Sequence, residues 1–151
     1  MKLILGSDHN GYALKEQIRT YLQQQSVSVC DLGPHSHEPV DYPDIALEAA
    51  MRIAKGESVR AILVCGTGNG MAISANKVPG VRAALCHDPL SAERARKSND
   101  AQILTMGAWL IGWEQAKGVI DIWLASEFAG GESARKVSKI IEWETRLSHF
   151  Q

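Results

Sequence analysis

Short apolar runs alternate along this chain with amphipathic stretches, which is the pattern of strands that alternate with helices. The first run covers residues 3–5, and the stretch after it places Leu14, Ile18 and Leu22 on one face of a helix. Residues 61–65 are continuously apolar, which is typical of a parallel strand covered on both faces. The pattern therefore predicts βαβ units built around a parallel sheet.

The same alternation continues to the end of the chain. Further strands are predicted at residues 27–30, 81–86 and 102–106, and further helices at about 43–55, from 71, at about 91–99, at 112–126 and at 132–148. We therefore predict one domain over residues 1–151 with an α/β fold, in which a five-stranded parallel sheet is doubly wound. Ligands of such sheets bind at the carboxyl ends of the strands.

Length and composition are those of an ordinary soluble protein: 151 residues, of which 45% are hydrophobic and 22% charged. The formal net charge of -1 leaves no electrostatic footprint for nucleic acid or an anionic membrane. No apolar run approaches the roughly 20 residues that span a bilayer, and the apolar start is too short for a signal peptide. We therefore expect a cytoplasmic protein with neither a nucleic-acid nor a membrane partner.

The cysteines and the paired histidines do not indicate a metal site. Cys30, Cys65 and Cys86 are odd in number and none lies two residues from another, which argues against a disulfide framework or a Cys-x-x-Cys site. Each is either a small buried apolar residue or a reactive thiol. His35 and His37 have no carboxylate or cysteine cluster nearby, so we interpret them as a solvated loop.

Residues 65–70, Cys-Gly-Thr-Gly-Asn-Gly, follow the buried strand and carry the clearest chemical signal. Glycines allow the backbone to approach a ligand closely, and consecutive N–H groups at a helix N-terminus can hold an anion. The glycine spacing is not that of a dinucleotide-binding loop, and the lysine of a P-loop is absent. The alternative is a plain strand–turn–helix junction whose glycines serve only the turn.

Cys65 favours a functional interpretation because it lies at the end of the strand, where the positive end of a helix dipole favours the thiolate. A thiolate there can act as a nucleophile or as a general base. A base beside amide donors suits enolate chemistry, in which a proton leaves the carbon next to a carbonyl. Asp8 and His9 lie at the end of the first strand. In a functional interpretation, one is an acid and the other is a ligand for phosphate or hydroxyl. In the alternative, Asp8 caps the following helix and His9 is an exposed side chain.

Four tryptophans lie in the last third of the chain. Their helical spacing favours positions in the core or at a subunit interface over a ligand cage. They are Trp109, Trp113, Trp123 and Trp143. The charges of the last predicted helix are interpreted as a solvated face whose first turn is able to reach an anion.

Motifs in order along nearly the whole chain resemble the ribose-5-phosphate isomerase B family, which includes galactose-6-phosphate isomerase. They are Gly-Ser-Asp-His-Asn-Gly at 6–11, Asp-Tyr-Pro at 41–43, Cys-Gly-Thr-Gly-Asn-Gly at 65–70, Ala-Asn-Lys at 75–77, Gly-Val-Arg-Ala at 80–83 and Asn-Asp at 99–100. The resemblance implies a Rossmann-like three-layer sandwich with helices on both faces of the sheet. It also implies a homodimer or dimer of dimers, with the last helix, about 132–148, at the interface and the active site shared between subunits.

The resemblance further implies interconversion of an aldose phosphate and its ketose through a cis-enediolate, without metal or cofactor. Cys65 would move the proton between C1 and C2, and Thr67 would assist proton movement or ring opening. The oxyanion hole would be formed by the amides of Gly66, Gly68, Asn69 and Gly70. The substrate would be bound by Asp8 (sugar hydroxyls), His9 (phosphate), Tyr42, Asn99 of the partner subunit, and Lys136.

The chain departs from the family pattern where the sugar ring is opened and the phosphate is held. The ring-opening histidine that usually precedes the Asn-Asp pair is Ser98 here. The two phosphate arginines near the start of the last helix fall on Glu132 and Lys136, and a further frequent arginine is Trp109. Lysine keeps the charge of arginine but not its bidentate geometry.

These departures leave the substrate open. Ribose 5-phosphate is the default of the family, and it closes into a furanose through its 4-hydroxyl, so its isomerase needs a ring-opening acid–base group. A tetrose 4-phosphate has that oxygen blocked, and its isomerase can dispense with the histidine. The alternatives are therefore a four-carbon sugar phosphate, another pentose or hexose, ring opening by His9 or His87 in place of the missing histidine, or an unphosphorylated sugar as substrate. A non-catalytic protein that binds sugar phosphates is a further alternative.

Overall fold

The computed structural model describes residues 2–150, which form one five-stranded sheet with its helices. The strands are β1 (Leu3–Ser7), β2 (Val29–Asp31), β3 (Ala61–Cys65), β4 (Ala83–Leu85) and β5 (Ile103–Gly107). Neighbouring strands are parallel throughout, in the order β2-β1-β3-β5-β4. Every residue of β1, β3 and β5 is buried, as expected for parallel strands covered on both faces.

Six α-helices connect or follow these strands within residues 2–150. They are α1 (Tyr12–Gln24), α2 (Tyr42–Ala54), α3 (Asn69–Ala75), α4 (Pro89–Lys97), α5 (Trp113–Ala125) and α6 (Glu132–Leu147). Pro43 and Pro89 occupy the first turns of α2 and α4, where the amide of a helical residue has no intrahelical partner. A short 3-10 turn, Ser148–Phe150, follows α6.

The two faces of the sheet carry separate hydrophobic cores because successive strand residues point to opposite faces. On one face, Leu5 and Val64 pack with buried residues of α1, α4 and α5. On the other face, Ile4, Leu63 and Cys65 pack with buried residues of α2 and α3. The prediction of a doubly wound, Rossmann-like three-layer sandwich is therefore confirmed.

Several predicted boundaries are wrong by a few residues. The strand predicted at residue 27 begins later because the Val27 amide closes the end of α1 by donating to the Leu22 carbonyl at 2.9 Å. β4 begins later than predicted because the Val81 amide donates to the Val78 carbonyl in a turn at 3.2 Å. α4 begins earlier than predicted because the Asp88 carboxylate caps it, accepting from the amide of its third residue.

Parallel strands give the sheet a carboxyl end and an amino end, and the connections alternate between them. The segments that lead into α1, α3, α4 and α5 leave from the carboxyl end. The amino end holds residues 98–102, before β5, and residues 126–131, before α6. These two regions meet where the Ala129 amide donates to the Lys97 carbonyl at 3.1 Å. This division decides which of the predicted site residues are neighbours.

The last helix lies largely outside the two cores. Val137 is its buried residue, whereas Ile140, Ile141, Trp143 and Leu147 are exposed. Its place at a subunit interface stays a prediction. Across residues 2–150 we find no helix with both the length and the apolar character needed to cross a membrane, and the cytoplasmic location stays a prediction.

Candidate active site

The central strand β3 ends at Cys65, which is only 4% exposed. The Gly68 amide donates a hydrogen bond to Cys65 Sγ at 3.2 Å. The chain can turn back in this way because Gly68 adopts a left-handed φ of 83°, and a Cβ there would lie 2.8 Å from the carbonyl carbon of Met106. The thiol predicted as the base is therefore held against a main-chain donor at the carboxyl end of the sheet.

Hydrogen bonds inside the glycine turn (residues 65–70) occupy two of the predicted oxyanion donors. Besides the Gly68 amide, the Asn69 amide is engaged, since it donates to Thr67 Oγ1 at 3.2 Å. Thr105 Oγ1 donates to the Gly68 carbonyl at 3.1 Å and ties the turn to β5. A substrate oxygen would have to replace these internal acceptors to use those two amides.

Asp8 follows β1 and is a neighbour of Cys65, because Ser7 of β1 pairs with Val64 of β3. It is 4% exposed, and its Oδ1 accepts a hydrogen bond from the Gly11 amide at 3.0 Å. The N-cap residue of α1 is Gly11, so Asp8 closes the turn before the helix and is not its cap. Oδ2 makes no hydrogen bond within residues 2–150 and is free to accept one.

His9 and Tyr42 border the same end of the sheet. His9 is exposed, and its Nδ1 lies 3.2 Å from the Val40 carbonyl oxygen, which ties the start of α1 to the loop before α2. Tyr42 begins α2, and its ring lies so close to Gly70 that a Cβ on the glycine would overlap it. Tyr42 therefore packs against the glycine turn.

Trp109 packs against the same turn at a second point. Its amide donates to the Gly66 carbonyl at 3.0 Å, and a Cβ on Gly66 would lie 2.9 Å from each of three indole ring atoms. The sequence predicts a core or interface position for the tryptophans; Trp123 is fully buried, but Trp109 is 68% exposed beside the candidate base. The sequence feature that could have placed Trp109 at the site is its position two residues beyond β5, at the end of the sheet where ligands bind.

His87 supports the glycine turn indirectly, through Gly107. It follows β4, and its Nε2 accepts a hydrogen bond from the Gly107 amide at 2.9 Å. Gly107 in turn touches the glycine turn, since a Cβ on it would lie 2.5 Å from the carbonyl carbon of Thr67. Burial lowers the pKa of His87, while the nearby charge of Asp88 opposes that shift. His87 therefore serves as a neutral acceptor that positions Gly107, a role that the sequence does not predict.

Two other predicted ligands, Asn99 and Lys136, lie at the amino end of the sheet. Asn99 follows α4, and its carbonyl accepts a hydrogen bond from Arg82 Nε at 2.9 Å just before β4 begins. Lys136 is exposed one turn into α6, which starts beside the end of α4. The structure therefore does not bring these residues to Cys65 within one protomer.

The His-x-His pair lies in an exposed loop, as the sequence predicts. His35 and His37 are both exposed, and the Tyr12 ring packs edge-on against His37 with centroids 4.4 Å apart. Within residues 2–150, no group of three or more His, Cys, Asp or Glu side chains is arranged to hold a metal ion.

Sizeable cavities occur away from the glycine turn. One of about 620 Å³ lies at the amino end beside Arg60 and Arg96, and one of about 650 Å³ runs along α6 beside Trp143. The turn itself reaches the surface between Tyr42 and Trp109. A parallel sandwich with its polar side chains gathered at the carboxyl end of the sheet is the architecture of an α/β enzyme for a small substrate.

Comparison with known proteins identifies the family. A family model described as Ribose/Galactose Isomerase matches residues 3–140, and the chain belongs to this family. It is 49% identical over 142 residues to ribose-5-P isomerase B of Listeria innocua, covering 94% of this chain and 96% of that protein. It is 48% identical over 151 residues to D-erythrulose-4-phosphate isomerase of Pectobacterium atrosepticum, covering 99% of each chain.

The fold agrees with solved structures of this family. Ribose-5-phosphate isomerase B of Clostridium thermocellum superposes with a TM-score of 0.95 at 46% identity, covering 97% of this chain and 99% of that one. The corresponding Thermotoga maritima enzyme superposes with a TM-score of 0.91 at 43% identity, covering 93% and 97%. The chain is accordingly an aldose–ketose isomerase of a phosphorylated sugar.

Proposed function

We propose that this isomerase interconverts the aldose and ketose forms of a four-carbon sugar phosphate, of the erythrose 4-phosphate and erythrulose 4-phosphate type. The observation that carries the proposal is Ser98, at the position where the family motif has its ring-opening histidine. A tetrose 4-phosphate has no free 4-hydroxyl and cannot close into a furanose, so its isomerase needs no ring-opening acid. The 48% identity to a protein named D-erythrulose-4-phosphate isomerase supports this substrate.

Ribose 5-phosphate is the second candidate substrate. It is favoured by the relatives named ribose-5-phosphate isomerase B, one of them 49% identical to this chain. With this substrate another group would have to open the ring. His9 is better suited than His87, because the His9 side chain is exposed, whereas His87 is half-buried beside the turn, where its Nε2 accepts a hydrogen bond from the Gly107 amide.

In the proposed reaction the Cys65 thiolate removes the proton from C2 of the open-chain aldose. The electron pair moves toward the carbonyl oxygen, and amides of residues 66–70 hold the enediolate that forms. A proton then passes from O2 to O1 with the Thr67 hydroxyl as relay, and Cys65 returns its proton to C1. Neither oxidant nor cofactor is consumed, because hydrogen moves only within the substrate.

Two features of the turn support Cys65 as the base. The hydrogen bond from the Gly68 amide stabilises negative charge on Sγ, and the low exposure of Cys65 keeps bulk water away from it. Asp8 lies on the neighbouring strand with a free carboxylate oxygen, which suits a ligand for sugar hydroxyls. These features also argue against a protein that only binds sugar phosphates, since binding alone requires no thiol.

We place the remaining ligands on a second copy of the chain. Asn99 of the partner subunit and Lys136 of the partner subunit would approach the glycine turn from outside, because their own Cys65 lies at the opposite end of the sheet. The exposed apolar residues of α6 supply surface for such an assembly. The site would then be shared, and a monomer would be incomplete.

Hydrogen exchange tests the reaction and the substrate together. The purified protein is incubated in heavy water with sugar phosphates of four to six carbons, and deuterium at C1 and C2 is followed by NMR. We expect kcat/KM for erythrulose 4-phosphate to exceed that for ribose 5-phosphate by at least about tenfold. The reverse preference would establish the second candidate. Binding of these sugars with neither isomerisation nor exchange would overturn the catalytic proposal.

Mixed dimers test the shared site. Cys65→Ser and Asn99→Ala each inactivate a homodimer, but a mixed dimer contains one intact site if the two residues come from different subunits. Equal mixing after unfolding and refolding should restore about a quarter of the wild-type activity, since half of the dimers are mixed and each has one intact site. A mixture that stays inactive, under conditions in which refolded wild type is active, would overturn the shared site.

A further inference from the structure

An exposed aromatic side chain next to the candidate base has no role in the proposed proton transfer. We propose that Trp109 is the residue that limits the length of the sugar phosphate, because its indole forms an apolar wall beside Cys65. This inference rests on the proposed function and deepens it, since it names the structural element that selects a four-carbon substrate.

Main-chain hydrogen bonds determine where the indole lies. The Ala108 amide donates to the Cys65 carbonyl at 2.9 Å, and the Trp109 amide donates to the Gly66 carbonyl at 3.0 Å. The segment after β5 is thereby paired with the first residues of the glycine turn. Trp109 is consequently anchored one residue from Cys65 along this pairing.

The indole lies flat on the turn and keeps its other face open. Three atoms of the ring system, Cδ2, Cε2 and Cε3, are equally distant, at 2.9 Å, from the position that a Cβ on Gly66 would take. Equal distances to fused-ring atoms mean that the ring covers the glycine face-on. Because Trp109 remains 68% exposed, the opposite face of the indole is open at the surface beside the glycine turn.

The open face of the Trp109 indole interacts differently with the carbon chain and with the phosphate of a sugar phosphate. An indole packs well against C–H groups of a carbon chain, whereas a phosphate dianion beside it loses hydration and finds no compensating charge. The family pattern has a frequent arginine at this position, which is able to hold an anion there. Trp109 therefore accommodates a short chain and disfavours a substrate whose phosphate lies one carbon further away.

Substitutions at this position should change the ratio of kcat/KM for the two sugars. Trp109→Arg should raise the ratio of ribose 5-phosphate to erythrulose 4-phosphate by at least about tenfold, because it replaces the wall with a cation. Trp109→Ala should raise the ratio in the same direction by opening the space. Trp109→Phe keeps an aromatic face and should hold the ratio within about threefold of the wild type. Leu110→Ala is the matched control, since Leu110 is exposed on the same segment and should leave the ratio unchanged.

Comparing kcat/KM for the two sugars distinguishes a role of Trp109 in substrate selection from a purely structural role. If Trp109 only braced the turn, its variants would lower kcat/KM for both sugars by the same factor, and that result would overturn the inference. A ratio that stays at the wild-type value in folded Trp109→Arg and Trp109→Ala would overturn it as well. A wild type that isomerises neither sugar would instead refute the proposed function. Melting temperatures show which variants are folded, and either Trp109→Arg or Trp109→Ala suffices for the test if the other is not.

Discussion

The two ends of the sheet differ in how tightly they hold their functional side chains. At the carboxyl end, Cys65 and Asp8 are each 4% exposed, and both accept hydrogen bonds from main-chain amides. At the amino end, Asn99 and Lys136 are exposed, and Glu132 forms an ion pair with a neighbour on its own helix. The first region is part of the packed sandwich, whereas the second lies on its surface.

This difference accounts for two of the departures from the family pattern, at Glu132 and Ser98, but not for the departure at Trp109, which lies at the carboxyl end. A change at the carboxyl end disturbs close-packed backbone, so few side chains are tolerated there. A change at an exposed or partly exposed position usually costs little stability, so Glu132 on α6 and Ser98 in the turn after α4 can stand where the family has other residues. The chemistry of this family is therefore tied to the fold, while the recognition of ring and phosphate is free to vary.

The largest effect is expected from the thiol. Cys65→Ser keeps an acceptor for the Gly68 amide but removes the thiolate, so kcat should fall by about a thousandfold while substrate binding persists. Turnover and calorimetric titration with the same sugar phosphate measure the two quantities. Cys30→Ser is the control, because Cys30 lies on β2 and should leave turnover unchanged. Full turnover by Cys65→Ser would remove the base from the proposed mechanism.

The second-largest effect is expected from a substitution that disturbs the packing against the glycine turn. Gly107→Ala would place a Cβ 2.5 Å from backbone atoms of Thr67, and we expect it to lower the free energy of unfolding by about 1–3 kcal/mol and to reduce activity. Gly118→Ala is the matched control. Its Cβ would meet nothing within 4 Å in the middle of α5, so it should stabilise the protein by about 0.5–1 kcal/mol. Equal denaturation midpoints for the two variants would contradict the close packing.

The charged side chains of α6, which starts at the amino end of the sheet, should affect KM and not kcat. Lys136→Ala should raise KM by about tenfold with kcat nearly unchanged, and Glu132→Gln should lower KM because it removes a negative charge near the proposed phosphate site. Steady-state kinetics at low salt measures both. Lys117→Ala, on α5, serves as the control for loss of a positive charge. A fall in kcat with constant KM for Lys136→Ala would contradict a role in phosphate binding.

The smallest effect should come from the protonation of His87. Burial lowers its pKa in the folded protein below the ordinary value of about 6.5, so the unfolded state binds the proton first as the pH falls. The stability that depends on neutral His87 is therefore complete above that value and is lost as the pH falls through it toward the lowered pKa. His87→Gln keeps an acceptor for the Gly107 amide without titrating, so its melting temperature should depend less on pH. His35→Gln, in the exposed loop, should follow the wild-type curve.

Some features of the fold could not be predicted because they join distant residues. Lys15 lies between apolar positions of α1 in the sequence, yet it is fully buried. Its Nζ donates to both carboxylate oxygens of Asp31, at 3.0 and 2.9 Å, and to the Pro34 carbonyl at 2.7 Å. No local pattern predicts this burial, since the partners follow 16 and 19 residues later, beyond the helix.

The sequence by itself determined the alternation of strands and helices, the glycine turn after the buried strand, and the thiol at its start. These are local properties, set by side-chain periodicity and by backbone conformations that glycine readily adopts. Only the tertiary structure decided that Asn99 and Lys136 lie at the end of the sheet opposite Cys65, and that Trp109 covers Gly66. Strand order and the pairing of distant segments set those distances, and neither is encoded in the spacing of residues along the chain.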